Sequence, residues 1–498
     1  MAIRRLLIAN RGEIALRVIR ACRELGVEAV AIYSDADAGA PHVRAADVAV
    51  RVGPASPAES YLNIPAIVAA GRGAGADAVH PGYGFLSERA AFAQACEAAG
   101  LIFVGPPASA IEAMGSKIGA RQLMARAGVP VVPGSTPGDQ TDAGIAAAAA
   151  GIGFPVLIKA SAGGGGKGMR IARNTTEAAD AIPAARREAQ AAFGDGTLYV
   201  ERLIERPRHV EIQVFADAHG HAVHLFEREC SVQRRHQKVV EESPSPALTP
   251  ALRAQMGDAA VAAALACGYR NAGTIEFLLE GHGDEARFYF LEMNTRLQVE
   301  HPVTELVTGT DLVHAQLHVA AGGMLPWRQD ELSQRGHAIE CRVYAEDPSN
   351  GFLPQAGPLL VYREPSGPGI RVDSGVEQGS AVPVQYDPML AKLIASAATR
   401  PAAIARAVAA LRAFPILGVR TNVPFLIKVL EHPAFAAGDV HTGFIDAHLD
   451  ALLHTTPPSE TVLAAAAFAR ADRGGASTSA GSPVAADPWS DLRNRVIG

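Results

Sequence analysis

Cysteine is scarce: the 498 residues hold five, Cys22, Cys96, Cys230, Cys267 and Cys341, far apart and never as a CxxC pair. That set excludes a disulfide framework and a zinc site built on paired thiolates, and it fits a reduced compartment. Long apolar runs are missing as well. The longest uncharged stretch, residues 143–158, is broken by Gly151, Gly153 and Pro155 and is too short to span a bilayer. The opening MAIRRLLIANRGE reaches Arg11 and Glu13 too soon for a secretory signal, so a cytoplasmic protein is expected. Charge of one sign is also in short supply. A net charge of −6 argues against nucleic acid or an anionic membrane as the main partner. No internal repeat is visible. With 48% hydrophobic residues and this length, the chain is globular, with two to four domains expected.

Up to about residue 115, strand and helix patterns alternate. RRLLIAN reads as a buried strand. Ile14, Val18, Cys22 and Leu25 then recur at helical spacing, with Gly26 as the stop, and EAVAIYS is the next strand. Such a βαβ unit predicts a parallel sheet. Its first turn reads NRGEIA where a dinucleotide site needs G-x-G-x-x-G, so NAD binding is rejected. In HPGYGFLSE (residues 80–88), Ser87 is the expected N-cap of the helix ERAAFAQACEAA, which Gly100 closes. LIFVGP supplies the last strand of this unit. After about residue 455 the composition turns to Ala, Ser, Thr, Pro and Gly, which reads as a linker, and DPWSDLRNRVIG follows.

The stretch EMNTRLQVEH (residues 292–301) carries Glu292, Asn294, Arg296, Gln298 and Glu300 at every second position, after the apolar FYFL. A strand would put all five on one face, whereas a helix would scatter them. A solvated edge strand is the commoner source of alternation. However, amides interleaved with opposite charges point to a ligand site. Upstream, Glu276 lies on the apolar strand AGTIEFLLE, and the turn GHGDE predicts a hairpin that sets it beside Glu292. Carboxylates with the Asn294 amide oxygen are hard ligands suited to Mg²⁺ on nucleotide phosphates.

In FPVLIKASAGGGGKGMRIA (residues 154–172) a strand ending in Lys159 precedes four glycines and Lys167. Consecutive glycines let backbone N–H groups close on an anion, and Lys159 can reach the same phosphates. The spacing is not G-x-x-x-x-G-K-[ST], so a P-loop is excluded and a glycine-rich flap over a nucleotide is expected. A flexible linker is the alternative, but linkers rarely sit between two apolar strands. The basic cluster Arg234, Arg235, His236 and Lys238 is followed by Glu241 and Glu242, which suits a small-anion pocket better than nucleic acid.

Eight ordered segments, ANRGEIA, HPGYGFLSE, GGGGKGM, RPRHVEIQV, ECSVQRRHQKVVEE, EMNTRLQVEHPVTE, IECRVYAEDP and YDPMLAKLI, resemble the biotin carboxylase family of the ATP-grasp superfamily, from residue 3 to about 447. The resemblance implies a mixed α/β and α+β multidomain ligase. It would comprise a Rossmann-like pre-ATP-grasp domain (1–115), an ATP-grasp domain (116–330, flap about 131–204), a C-terminal biotin carboxylase domain (331–447) and a linker with the start of a further domain (448–498). It also implies a reaction in which ATP and bicarbonate form carboxyphosphate, whose carboxyl group moves to N1′ of biotin.

The same resemblance implies roles. Lys117 and Lys159 would grip the ATP phosphates, Gly165 and Gly166 cover them, and Met169 packs near the adenine. Glu201, Leu203 and Ile204 would line the adenine edge, with His209, Gln233 and His236 on the ribose and phosphate side. Glu276, Glu292 and Asn294 would hold Mg²⁺ or Mn²⁺. Bicarbonate would sit among Lys238, Arg296, Gln298 and the N–H of Val299, with Glu300 as its base and Arg342 at the biotin oxygen. PMLAKLI does not match a biotin-attachment motif, so biotin is expected in trans, from a carrier domain or protein. A carboxyltransferase subunit and a homodimer are the other partners implied. The tail from Thr455 resembles the linking domain of acyl-CoA carboxylase α-subunits, particularly methylcrotonyl and geranyl types. A nucleotide-binding subunit without catalysis would not need Lys238, Arg296, Glu300 and Arg342 together. Another ATP-grasp ligase would not need the bicarbonate set.

Overall fold

A computed structural model of the chain describes residues 2–161, 169–454, 459–464 and 467. Two compact units result, Met1–Leu452 and Leu453–Gly498; of the second, residues 453–454, 459–464 and 467 are described, with residues 460–464 helical. The expected glycine flap residues Gly165 and Gly166, and most of the expected linker, lie outside the described residues. Among those described, no helix is long and apolar enough to cross a membrane.

Strands β1 (Arg5–Ile8), β2 (Glu28–Ser34), β3 (Val48–Gly53), β4 (Ala78–His80) and β5 (Ile102–Phe103) form a parallel sheet ordered β3-β2-β1-β4-β5. Helix α1 (Gly12–Leu25) packs on it because Ile14, Val18 and Cys22 share a buried face with Leu6 and Ile8. Gly26 ends α1 at φ 68°, and its N–H reaches the Arg23 carbonyl. A side chain there would be strained, which is why the sequence stop is a glycine. The sheet order reverses between β1 and β4, where a crevice opens at the carboxyl ends of the strands. Asn10 stitches that crevice by donating to the carbonyls of Pro81 (2.8 Å) and Tyr83 (2.7 Å). The helix after it starts at Ala90, with Arg89 at its N-cap, so Ser87 is not the cap. Ser87 instead lies buried in the turn before it.

A four-stranded sheet follows, ordered β6-β9-β7-β8 from β6 (Gly134–Ser135), β7 (Val156–Ala160), β8 (Arg170–Ala172) and β9 (Leu198–Arg202). Helices Asp142–Ile152 and Thr175–Phe193 bury its apolar face through Ile145, Ile158, Ile182 and Val200. The largest sheet has eight strands. From one edge run β14 (Arg287–Asn294), β13 (Asn271–Glu280), β10 (Arg208–Ala216), β11 (Ala222–Arg234), β12 (Gln237–Ser243) and β15 (His337–Tyr344). Strands Met389–Ala397 and Ile370–Ser374 complete it, so a single sheet continues across residue 330.

Every residue of β10, RHVEIQVFA, is buried, yet it alternates strictly. Val210, Ile212 and Val214 face an apolar core with Met256 and Ala260 of helix Pro250–Ala266. His209, Glu211 and Gln213 take the other face, as the two-residue period of a strand requires. Polar side chains at that depth need partners, and the partners define the site.

Candidate functional site

Register places the polar face. Glu292 of β14 sits opposite Glu276 of β13, Glu276 opposite Glu211 of β10, and Glu211 opposite Arg228 of β11. The hairpin expected from GHGDE is therefore present, with the two acids as cross-strand neighbours. The strand is shorter than the alternation of EMNTRLQVEH predicts: β14 ends at Asn294, and a helix starts at His301. Arg296, Gln298 and Glu300 thus reach the site from a turn and not along one strand face.

Lys238 is the centre of the site. Its ammonium donates to Glu276 (2.8 Å), Glu300 (2.7 Å), the Gln298 amide oxygen (3.1 Å) and Glu211. Burial opposes its charge, but Glu211, Glu276 and Glu300 outweigh it and hold the ammonium well above its ordinary pKa. Glu300 also accepts from Arg342 at 3.0 Å. Burial alone would push the Glu300 carboxyl up; Lys238, then Arg342 and Arg228, pull it below the usual range against Glu211. Arg342 bonds Glu241 at 2.5 Å, and Arg296 bonds Glu88 (3.0 Å) and Asn294 (3.0 Å). Glu88 comes from the crevice loop of the parallel sheet and also accepts the Thr295 N–H, so two sheets share the cluster.

Beside this cluster a cavity of about 700 Å³ opens between the four-stranded sheet and the large sheet. Leu157, Met169, Ile171, Leu278 and Leu291 give it apolar walls; Glu201, Leu203 and Ile204 line one edge. Lys117, Lys159, His209, Gln233, His236, Glu276 and Glu292 supply its polar groups. Its size and mixed lining suit a nucleotide. Lys159 pairs with Glu201 at 2.5 Å, and burial together with neighbouring Lys159 lowers Lys117. His209 lies 3.2 Å from Glu276; burial disfavours its charge, but Glu276 and Glu211 raise it to about 9. His236 projects from the tip of the β11–β12 hairpin at φ 67°.

The residues fit a divalent cation. Among the described residues, Glu292 has no cation within ion-pair distance, and it lines the cavity. Desolvation by the cleft walls and repulsion from Glu276 raise its carboxyl, with Lys117 opposing. An Mg²⁺ ion would relieve that repulsion, and Asn294 lies on the same strand with an amide oxygen to offer.

Reading the sequence missed Glu211 and Arg228, and it named Glu241 without giving it a role in the site. Fully buried Arg228 bonds Glu211 (2.6 Å), Gln213 (2.7 Å), Thr274 (3.0 Å) and Thr304 (3.0 Å), anchoring the carboxylate that Lys238 needs. The polar alternation in HVEIQV was the available signal. Glu241 is raised to about 7, by burial first and by Glu300, with Arg342 and Lys238 opposing. Its folded value exceeds the ordinary 4.5, so the stability it supplies is complete below that value and is lost as pH rises through about 7. Glu241→Gln should therefore gain on the parent protein between about pH 5 and about pH 8, as read by the difference in melting temperature. A pH-independent difference would contradict the assignment.

Residues 2–111 match the family model described as biotin carboxylase, N-terminal domain; residues 116–328 match carbamoyl-phosphate synthase L chain, ATP binding domain; residues 340–447 match biotin carboxylase C-terminal domain. The chain is 52% identical over 446 residues to biotin carboxylase 1 of Bacillus subtilis, covering 90% of this chain and 99% of that one. It is 51% identical over 468 residues to the mitochondrial methylcrotonoyl-CoA carboxylase subunit alpha of Mus musculus, covering 93% of this chain but only 65% of that protein. A biotin carboxylase complex from Campylobacter jejuni superposes with a TM-score of 0.86 at 45% identity, over 90% of this chain and 99% of that one. The biotin carboxylase domain dimer of Hydrogenobacter thermophilus 2-oxoglutarate carboxylase, solved with MgADP, ADP and bicarbonate, superposes with a TM-score of 0.86 at 44% identity, over 92% of this chain and all of that one.

Proposed function

The chain belongs to the biotin carboxylase family, and from that membership we propose that it uses ATP and bicarbonate to carboxylate biotin presented by a carrier domain or protein. The observation that carries this reading is the joining of two compartments through one residue. Glu276 lines the nucleotide-sized cavity and also accepts from Lys238, whose ammonium holds Glu300.

In this reading the adenine lies between Met169 and the leucine wall, with its edge at Glu201, Leu203 and Ile204. His209, Gln233 and His236 serve the ribose side, Lys117 and Lys159 grip the phosphates, and Gly165 and Gly166 close over them. Glu276, Glu292 and Asn294 would hold Mg²⁺, which would supply charge neutralisation at the phosphates. Lys238, Arg296, Gln298 and the Val299 N–H hold bicarbonate beside Glu300. Bicarbonate is a weak nucleophile, and an ionised carboxylate positioned to take its proton makes it competent. Phosphoryl transfer then depends on placement and charge, which the lysines provide. Carboxyphosphate is labile, so a closing flap that keeps water out protects it. In the same reading Arg342, which bonds Glu300, steadies the biotin oxygen during carboxyl transfer.

The solved homologue dimer supports a homodimer, and the α-subunit relative supports a carboxyltransferase partner with an acyl-CoA as final acceptor. The test is ATP hydrolysis with Mg²⁺ and bicarbonate, with and without free biotin, together with capture of labelled bicarbonate. Stimulation by biotin with label fixed is expected. Tight ATP binding without turnover would overturn the catalytic reading. Lys159→Met should raise the KM for ATP about ten- to a hundredfold, because a charge-assisted phosphate contact is worth roughly 1.5–3 kcal/mol. An unchanged KM would remove Lys159 from the phosphate site.

A further inference from the structure

The turn that presents Val299 and Glu300 is held from behind. The Gln298 carbonyl accepts from His301 Nδ1 at 2.8 Å and from the His301 N–H at 3.3 Å. The next carbonyl, Val299, accepts from the ammonium of Lys392 at 2.8 Å, and the Glu300 carbonyl accepts from the Val303 N–H at 3.3 Å. In a trans peptide the C=O and the following N–H point opposite ways. His301 therefore turns the Val299 N–H forward, and Lys392 does the same for the Glu300 N–H. Among the described residues neither N–H has a protein acceptor, although Glu300 is 1% exposed. Buried N–H groups are rarely left unpaired, and two in succession form a concavity for an anion.

Both holding residues are buried at 0% exposure, and neither enters the chemistry described above. His301 Nδ1 must carry the proton, because a carbonyl only accepts. Burial, with Lys392 and Arg17 nearby, outweighs the Glu305 carboxylate 4.0 Å from Nε2 and keeps the imidazole neutral, and among the described residues Nε2 has no hydrogen-bond partner. Lys392 lies on strand Met389–Ala397 in register with Arg342; its ammonium is 3.3 Å from Glu13 at the start of α1 and 3.8 Å from Asp373. Glu13 is held there by the Tyr83 hydroxyl and by a tight approach, since a Cβ on Gly375 would meet the Glu13 nitrogen at 2.7 Å. The ammonium is therefore fixed from the parallel sheet and the large sheet at once.

We propose that His301 and Lys392 are positioning residues of the bicarbonate step, a rear clamp that aims the Val299 and Glu300 N–H groups at the anion. The proposal rests on the reading of that pocket as the bicarbonate site. Neither residue touches the anion; each acts through the peptide it holds.

The test measures KM for bicarbonate, KM for ATP and melting temperature in His301→Leu and His301→Asn. His301→Leu should raise the bicarbonate KM about ten- to a hundredfold, the range for groups that orient a directly binding one, with the ATP KM unchanged. His301→Asn can return a donor to the place of Nδ1 and should recover most of that loss. A merely structural histidine predicts the reverse order, because asparagine leaves the larger void, and that order would overturn the clamp. Should His301→Leu not fold, the double variant Lys392→Met with Glu13→Gln removes the ammonium together with its buried counter-charge. An unchanged bicarbonate KM in that protein would overturn the proposal equally. If the parent protein shows no bicarbonate-dependent turnover at all, the pocket reading fails first, and the clamp with it.

Discussion

Glu300→Gln should lower bicarbonate-dependent ADP release about a hundred- to ten-thousandfold, the span expected when a general base is lost. The substitution keeps the shape of the side chain. Lys238 and Arg342 bond to different oxygens of the carboxylate, at 2.7 Å and 3.0 Å, so the single amide oxygen can keep one of these bonds and the NH2 group gives up the other. What it loses is the ability to take a proton. Glu300 is absent from the lining of the nucleotide cavity, so ATP affinity should be retained. The measurement is a paired titration, nucleotide binding against bicarbonate-dependent turnover. Turnover near the parent rate would remove Glu300 as the base, and a matching loss of ATP binding would show that the site had collapsed.

Lys238→Gln should be damaging in two ways at once. The ammonium is the shared partner of Glu211, Glu276 and Glu300, all buried. Breaking a buried ion pair by removing one member costs about 3–5 kcal/mol, because the remaining charge is left in a poor solvent. All three carboxylates keep a second cation, Arg228 for Glu211, His209 for Glu276 and Arg342 for Glu300. The loss of stability should therefore fall within that range and not multiply by three. Urea denaturation measures it. In the protein that remains folded, bicarbonate saturation should disappear while ATP still binds. Normal bicarbonate saturation in a folded Lys238→Gln protein would contradict its place in the anion pocket.

Much of this site was legible before any coordinates. Glu276 and Glu292 were expected as hairpin neighbours, because a turn between two apolar strands sets register over short range, and the two residues stand opposite each other. The helix at residues 12–25 and its Gly26 stop followed from spacing and from the left-handed backbone that glycine tolerates. The Ser87 cap failed because a hydroxyl before a helical pattern is a weak signal, and the helix began three residues later at Ala90. The alternation through Glu300 misled for a similar reason. A period of two is also what a turn can show by chance, and nothing local marks where the strand stops at Asn294.

Periodicity, glycine placement and long motifs are properties of neighbouring residues, and they carried the layered α/β architecture, the family resemblance and most of the candidate side chains. Charge partnership is a property of space. Arg296 meets Glu88 across 208 positions of chain, Lys392 meets the Val299 carbonyl across 93, and Arg342 meets Glu241 across 101. No local pattern encodes such pairings. Buried charges bond to whichever opposite groups the packed sheets bring within reach, since leaving them unpaired costs several kcal/mol. The identity of the reacting groups could thus be read along the chain, whereas their protonation and aim were decided only when the sheets closed around them.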